Sequence, residues 1–263
     1  MSKIEPMLLT ETFDKKLLED DSKYYQIKEN GVRAIVHVKD GKVVGIRNRS
    51  NNPILYQFPE LKEIEFPFKT AILDGEICVF KNGRSEFYGG VDKRRSAPTD
   101  STLKDYPATL VVFDALKVEK EVLVTQPYKI RYSKINTKSP TERIKVAKNY
   151  AGIVLWDMVT NENHEGVVIK NPMAMYEMGK RSTNYIKLKN YKICDVVVDK
   201  VEPNSKGVKI FGKTNIGDKE IEVEAQLGGI FDVPEGSTVA IKYLDIAGDR
   251  LIQPTKVKRE QQQ

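Results

Sequence analysis

Five short polar clusters stand at the ends of apolar stretches: Lys28 to Arg33 in IKENGVR, Arg49 in RNRS, Asp74 and Glu76 in ILDGEICVF, Glu165 to Lys170 in EGVVIK, and Lys187 with Lys189 in YIKLK. Lysines and arginines neutralise phosphates, while carboxylates hold a divalent cation or accept hydrogen bonds from ribose hydroxyls. A lysine can also react, because its unprotonated amine attacks electrophilic carbon or phosphorus and neighbouring cations lower its pKa. Taken singly, each of these residues reads as a surface charge or a turn position. If the strand ends converge, they form one pocket of mixed charge suited to a nucleoside triphosphate. No GxGxxG turn occurs, so no Rossmann turn cradles the phosphates.

The elements that must position these residues read mainly as strands. YYQIKENGVRAIVHVKDGKVVGIRNRS gives strand, hairpin and strand around a KDG turn, with Lys28 at a strand end. FPELKE reads as a short helix, and at a period of two Asp74 and Glu76 share one face of the following strand. TLVVFDAL is another strand, QPYKIRYSKINTKSPTE a basic loop-rich stretch, and ERIKVAKNYAGIVLWDMV has helical spacing in its first half. In TNYIKLK, Tyr185, Lys187 and Lys189 alternate with Ile186 and Leu188, so two lysines project from one strand face. Beyond Asn190 the texture changes to short β segments separated by Gly, Asn and Pro turns, at the spacing of a small barrel. Two domains are expected, 1–189 and 190–263.

Composition limits the rest. The net charge of +6 and pI of about 9.0 favour a polyanionic partner, and the surplus lies upstream of residue 190. No apolar run approaches the roughly 18 residues of a membrane span, and no signal peptide is visible, so an intracellular, cytoplasmic chain without membrane attachment is expected. Cys78 and Cys194 lack metal-ligand spacing and read as free thiols in apolar stretches. His37 and His164 have no clustered partners for zinc. Trp156 reads as core or interface, and KEIEVE as the charged face of a barrel strand.

The order and spacing of the clusters resemble the motif series of the covalent nucleotidyltransferases, specifically the ATP-dependent DNA ligases. IEPMLLTETFD resembles the proline-methionine-leucine segment that precedes that domain. IKENGVR is similar to the K-x-D-G-x-R nucleophile motif, LDGEICVF to the third motif, VVFDAL to the element with the base-stacking aromatic, EGVVIK to the fourth motif, and NYIKLK to the fifth. The resemblance covers nearly all of residues 5 to 190. It implies an α+β fold: a nucleotidyltransferase (adenylation) domain of antiparallel sheets with flanking helices, followed by an OB-fold β-barrel. Only 27 residues precede Lys28, so the resemblance is to a minimal two-domain ligase acting as a monomer on nicked duplex DNA, in replication, repair or recombination.

The same resemblance implies residue roles. Lys28 would carry AMP, with Lys187 and Lys189 at the α-phosphate. Ile27, Arg33, Arg49, Glu76, Phe113 and Lys170 would contact the nucleotide, Glu76 at ribose and Phe113 on adenine. Glu165 and Glu76 would hold Mg2+ or Mn2+. Arg33, Arg49, Lys93, Arg94, Arg95, Lys129, Arg131 and Lys134 would meet nucleic acid, Arg49 at the nick phosphate. Lys256, Lys258 and Arg259 would orient pyrophosphate. Asn30 departs from the family's usual Asp, keeping a residue tolerant of positive φ but losing a negative charge. An RNA ligase, or a nucleic-acid-binding protein with a decayed catalytic domain, are the alternative readings; the intact lysines and glutamates argue against decay.

Overall fold

β-branched and aromatic residues at alternate positions make strands of most of the polypeptide. The computed structural model describes residues 4–136, 142–230 and 232–257, and its contacts divide the chain into the units Met1–Lys189 and Asn190–Gln263. In the first unit, β1 (Leu8–Thr12) and β2 (Tyr24–Ile27) precede a hairpin of β3 (Val32–Lys39) and β4 (Lys42–Arg47). Asp40 and Gly41 close that hairpin with φ of 52° and 76°, the left-handed pair that matches strand twist. Next come β5 (Thr70–Lys81), β6 (Arg84–Ser85), α1 (Asp100–Asp105), β7 (Ala108–Val118) and β8 (Glu121–Val122). The unit ends with α2 (Tyr128–Asn136), β9 (Ile144–Val146), α3 (Gly152–Asn161), β10 (Gly166–Lys170) and β11 (Arg181–Lys189).

Two sheets result. One runs β1-β11-β10-β2 and the other β4-β3-β5-β7-β8, with β6 on β5 and β9 on β7. Pairing is mostly antiparallel as expected, but β1 lies parallel to β11 and β9 parallel to β7. The main core fills behind the second sheet, from Ile35, Leu73 and Leu110 to Tyr128, Tyr132 and Ile135 of α2. A smaller core packs Leu155 and Val159 of α3, one turn apart, on Tyr25, Val167, Ile169 and Leu188. Trp156 borders this second core, with Lys15 5.2 Å from its ring.

Three expectations are corrected here. QPYKIRYSKIN carries helix α2, because Tyr128, Arg131, Tyr132 and Ile135 form a buried i, i+3, i+4, i+7 stripe beneath its basic residues. In ERIKVAKNYAGIVLWDMV the helix occupies the second half, while β-branched Ile144 and Val146 put the first half on the edge of β7. Asn30 is absent from the residues with left-handed φ, so its tolerance of positive φ is unused.

The second unit is one curled sheet. It is built from β12 (Lys192–Asn204), β13 (Gly207–Ile216), β14 (Lys219–Gly228), β15 (Thr238–Tyr243), β16 (Asp245–Ala247), β17 (Arg250–Ile252) and β18 (Thr255–Lys256), in the order β16-β17-β14-β13-β12-β15-β18. Along β14 the burial alternates: Ile221, Val223, Ala225 and Leu227 enter the core while Glu220, Glu222 and Glu224 face out. Cys78 is buried and Cys194 half-buried, both as free thiols. Among the described residues no helix is long and apolar enough to cross a membrane. Lys258 and Arg259 lie outside the described residues.

Candidate active site

Register in the first sheet explains how distant motifs meet. Across β2, β10 and β11, Tyr24, Lys170 and Tyr185 form one row, and Gln26, Val168 and Lys187 form the next. The Lys28 amide donates to the Gly166 carbonyl at 2.8 Å, and Gly166 pairs with Lys189, which makes a third row two residues further on. Rows two residues apart share a face, so Lys28, Lys187, Lys189 and Lys170 all emerge on one side of the sheet. The opposite side, with Tyr25, Ile27, Ile169 and Leu188, packs under α3.

Lys28 follows the last residue of β2, and its Nζ lies 2.7 Å from Glu165 Oε2. The tight turn after it needs Gly31, where a Cβ would come within 2.2 Å of the Ile77 carbonyl oxygen. The Asn30 amide donates to Ser85 Oγ at 2.9 Å and ties the turn to β6. Lys187 pairs with Glu11 of β1 at 3.0 Å. Burial lowers the Lys189 amine below its ordinary pKa.

The second sheet supplies the other wall. Arg33 and Glu76 are cross-strand partners on β3 and β5. Between β5 and β7 the pairing jumps from Asp74–Asp114 to Gly75–Val112, which leaves Phe113 as a bulge residue aimed into the cavity. Arg33 lies 5.0 Å from the Phe113 ring and is held by Asp74, with Nε at 2.5 Å and Nη2 at 2.6 Å. Burial pushes the Glu76 carboxyl up to about 7, and the Glu165 and Asp74 charges add to the push against the pull of Lys28 and Arg33. The resulting cavity is lined by Gln26, Ile27, Lys28, Arg33, Glu76, Phe113, Val168, Lys170 and Tyr185, together with Leu9, Glu29 and Ala147.

Apart from Arg49, the residues singled out in the sequence for nucleotide and metal are thus brought together, while two of the nucleic-acid set are corrected and others lie elsewhere. Arg94 is buried, and its guanidinium bonds Glu60 twice at 2.8 Å, so it is a structural ion pair and not a nucleic-acid contact. Arg131 is equally buried, with Asp114 at 2.8 and 2.9 Å, and is likewise closed to nucleic acid. Arg49 is exposed in the turn after β4 and Arg95 on the surface after Arg94; neither lines the cavity. Lys93, Lys129 and Lys134 also lie at the surface, with Lys134 2.6 Å from Glu121. Gln26 and Tyr185 escaped the sequence reading as cavity residues. Gln26 shares the Lys28 strand face at a spacing of two, and that period was the available signal.

The family model described as the ATP dependent DNA ligase domain matches residues 6–189, most of the chain. The chain belongs to this ATP-dependent DNA ligase family. It is 26% identical over 198 residues to the SPbeta prophage-derived DNA ligase-like protein LigB of Bacillus subtilis, a match covering 74% of this chain and 70% of that one. It is 30% identical over 177 residues to a DNA ligase of Pyrobaculum calidifontis, covering 62% of this chain but 30% of the relative. Among solved structures, a Lig E DNA ligase described as binding DNA with a minimal scaffold superposes with a TM-score of 0.71 at 17% identity, covering 97% and 99% of the two chains. Mycobacterial DNA ligase D complexed with ATP and MES gives 0.63 at 18%, covering 96% and 93%. At those identities the likeness is one of fold.

Proposed function

We propose that this chain seals nicks between a 5′-phosphate and a 3′-hydroxyl in duplex DNA, through AMP carried first by Lys28 and then by the DNA end. The observation that carries this reading is the Lys28–Glu165 pair at 2.7 Å on the rim of a cavity whose far side holds Phe113. Phe113 stacks the base, Glu76 takes the ribose, and Lys187 and Lys189 meet the α-phosphate. The Lys28 amine attacks the α-phosphorus and pyrophosphate departs, forming a phosphoramidate bond; Glu165 is the acceptor within reach for the amine's proton. AMP then passes to the 5′-phosphate, and the 3′-hydroxyl displaces it to close the strand.

The residues fit a magnesium or manganese ion of one kind. Among the described residues no group of three or more His, Cys, Asp or Glu side chains could enclose a metal. Glu76 and Glu165, two carboxylates that press on one another, suit an ion that keeps waters and borrows phosphate oxygens. Such an ion supplies charge stabilisation to the phosphoryl group in transfer.

Residues 1–189 then serve as the adenylation domain and 190–263 as an OB-fold. Arg49, Lys93, Arg95 and Lys129 are the exposed cations of the earlier set left to meet DNA phosphates. The chain acts as a cytoplasmic monomer. Sealing of a 5′-phosphorylated nick, run in parallel on DNA and RNA duplexes with ATP and magnesium, tests the reading. Joined DNA with little joined RNA is the expected result; joined RNA alone, or no joining of either, would overturn it.

A further inference from the structure

Glu11 is a carboxylate that the chemistry assigned to the lysine row does not require. Of the lysines placed beside the α-phosphate, Lys28 faces Glu165, the acceptor for the proton it must lose. Lys187 forms no covalent bond in the reaction, yet its Nζ is held 3.0 Å from Glu11 Oε2. Glu11 also acts on Lys189, whose pKa its charge draws upward against the burial that lowers it. The Glu11 and Lys187 side chains are 30% and 20% exposed, so the pair is open to an incoming ligand.

The backbone builds this contact. β1 runs parallel to β11, with Leu8 opposite Arg181 and Leu9 opposite Ser182. Continued in that register, Glu11 would stand opposite Asn184. The pairing instead jumps, so that Thr10 meets Ile186 and Glu11 meets Lys187, while residues 183–185 bulge from the ladder. Thr10 Oγ1 donates to the Ser182 carbonyl at 2.7 Å and the Arg181 guanidinium to the Leu9 carbonyl, one bond from each strand beside the jump. Leu9, on the same strand as Glu11, lines the nucleotide cavity.

A lysine already paired holds phosphate less firmly than a bare one. A phosphate oxygen that reaches Lys187 must displace a carboxylate, and the two negative charges repel as it does so. Binding that is equally strong in the ground state and the transition state does not speed the chemical step. The AMP set free when the strand closes must also leave with the phosphate that Lys187 held. A carboxylate waiting at Lys187 loosens the grip on both nucleotides.

We propose that Glu11 is a positioning residue that competes with the nucleotide's α-phosphate for Lys187, fixing the lysine in the free chain, yielding it as nucleotide enters and reclaiming it as AMP leaves. No covalent bond forms or breaks at Glu11. The inference rests on the nucleotide-binding reading of this cavity and adds what limits that binding.

The test is calorimetric titration of the whole chain and of Glu11→Gln with three probes: AMP, α,β-methylene-ATP, which binds without AMP transfer, and adenosine, which has no phosphate. Withdrawing one carboxylate charge should tighten AMP and α,β-methylene-ATP about tenfold, the worth of a unit charge a few ångströms away near a protein surface, and leave adenosine unchanged. Glu11→Asp, which keeps the charge, should bind all three as the wild type does. In a Lys187→Met background the gain from Glu11→Gln should shrink, because the phosphate then has no ion pair to break. An equal gain there would show that Glu11 does not act through Lys187, and overturns the inference. So does a Glu11→Gln chain that binds the phosphates no more tightly, or one that gains as much for adenosine. A wild-type chain that binds none of the three probes overturns the proposed function, and this inference with it.

Discussion

Lys28 and Lys170 are both lysines of one cavity, but their surroundings assign them different chemistry. Lys28 is partly exposed at the rim and paired with Glu165, whereas Lys170 is enclosed by aromatic rings and has no ion pair among the described residues. Replacing Lys28 with Ala should abolish transfer of AMP to the protein and leave the thermal midpoint near that of the wild type; a variant that still gained one AMP by mass spectrometry would show that the nucleophile lies elsewhere. Lys170→Met should instead stabilise the fold, because a buried cation without a partner is replaced by an apolar chain of similar length. The folded-state pKa of Lys170, about 7, lies below its ordinary value of 10.5, so the folded chain binds fewer protons between those limits and its stability rises with pH there. The gain from Met is therefore largest below pH 7, up to a few kcal/mol by the size of such shifts, and fades toward 10.5. Urea midpoints of both proteins at pH 6 and pH 9 measure it; a gain that grows with pH would contradict the charge assignment.

At the scale of elements, strand period and register decide what can meet. The lysines of YIKLK were legible as one face because side chains alternate, and the β10–β11 pairing carries them beside Lys28. The bulge that aims Phe113 was not legible, since an unpaired residue depends on how β5 and β7 register over their whole length. Arg131 was misread for a related reason: a guanidinium in a basic run signals surface unless the helical stripe of Tyr128, Tyr132 and Ile135 is noticed and a buried acid, Asp114, is waiting on another strand. Arg131→Ala should accordingly cost about 3–5 kcal/mol by stranding a buried carboxylate. Lys129→Ala, one residue away and exposed, should leave stability within about 0.5 kcal/mol. Denaturant unfolding of the two variants separates them, and equal small losses would restore Arg131 to the surface. The turn makes a second case. In Gly31→Ala the new Cβ meets the Ile77 carbonyl at 2.2 Å, so β5 must shift or the turn must open. Overpacking of this kind costs about 1–3 kcal/mol. AMP transfer to Lys28 should fall with it, and a variant with wild-type stability and transfer would show that the close approach is dispensable.

At the scale of the whole molecule, each unit has a core of its own, Ile35, Leu73 and Leu110 among the residues of the first and Val198, Ile210 and Leu227 of the second. The change of texture near residue 190 was visible because a run of short strands with Gly and Asn turns follows longer, helix-interrupted segments; which strands neighbour one another in the curled sheet was not, since the order β16-β17-β14-β13-β12-β15-β18 brings together segments far apart in sequence. Every residue that lines the cavity belongs to the first unit. A polypeptide of residues 1–189 should therefore fold and bind α,β-methylene-ATP within a few-fold of the whole chain's affinity. Its grip on nicked duplex should be weaker, and both proteins should lose DNA affinity steeply with salt, because the chain's +6 charge acts by displacing counterions from phosphates. The slope of log affinity against log salt is expected to approach −0.9 for each phosphate neutralised, so a smaller slope in the 1–189 polypeptide counts the contacts that residues 190–263 contribute. Equal slopes would place the whole electrostatic contact on the first unit, and a slope near zero in the full chain would mean that its basic surplus does not meet DNA at all.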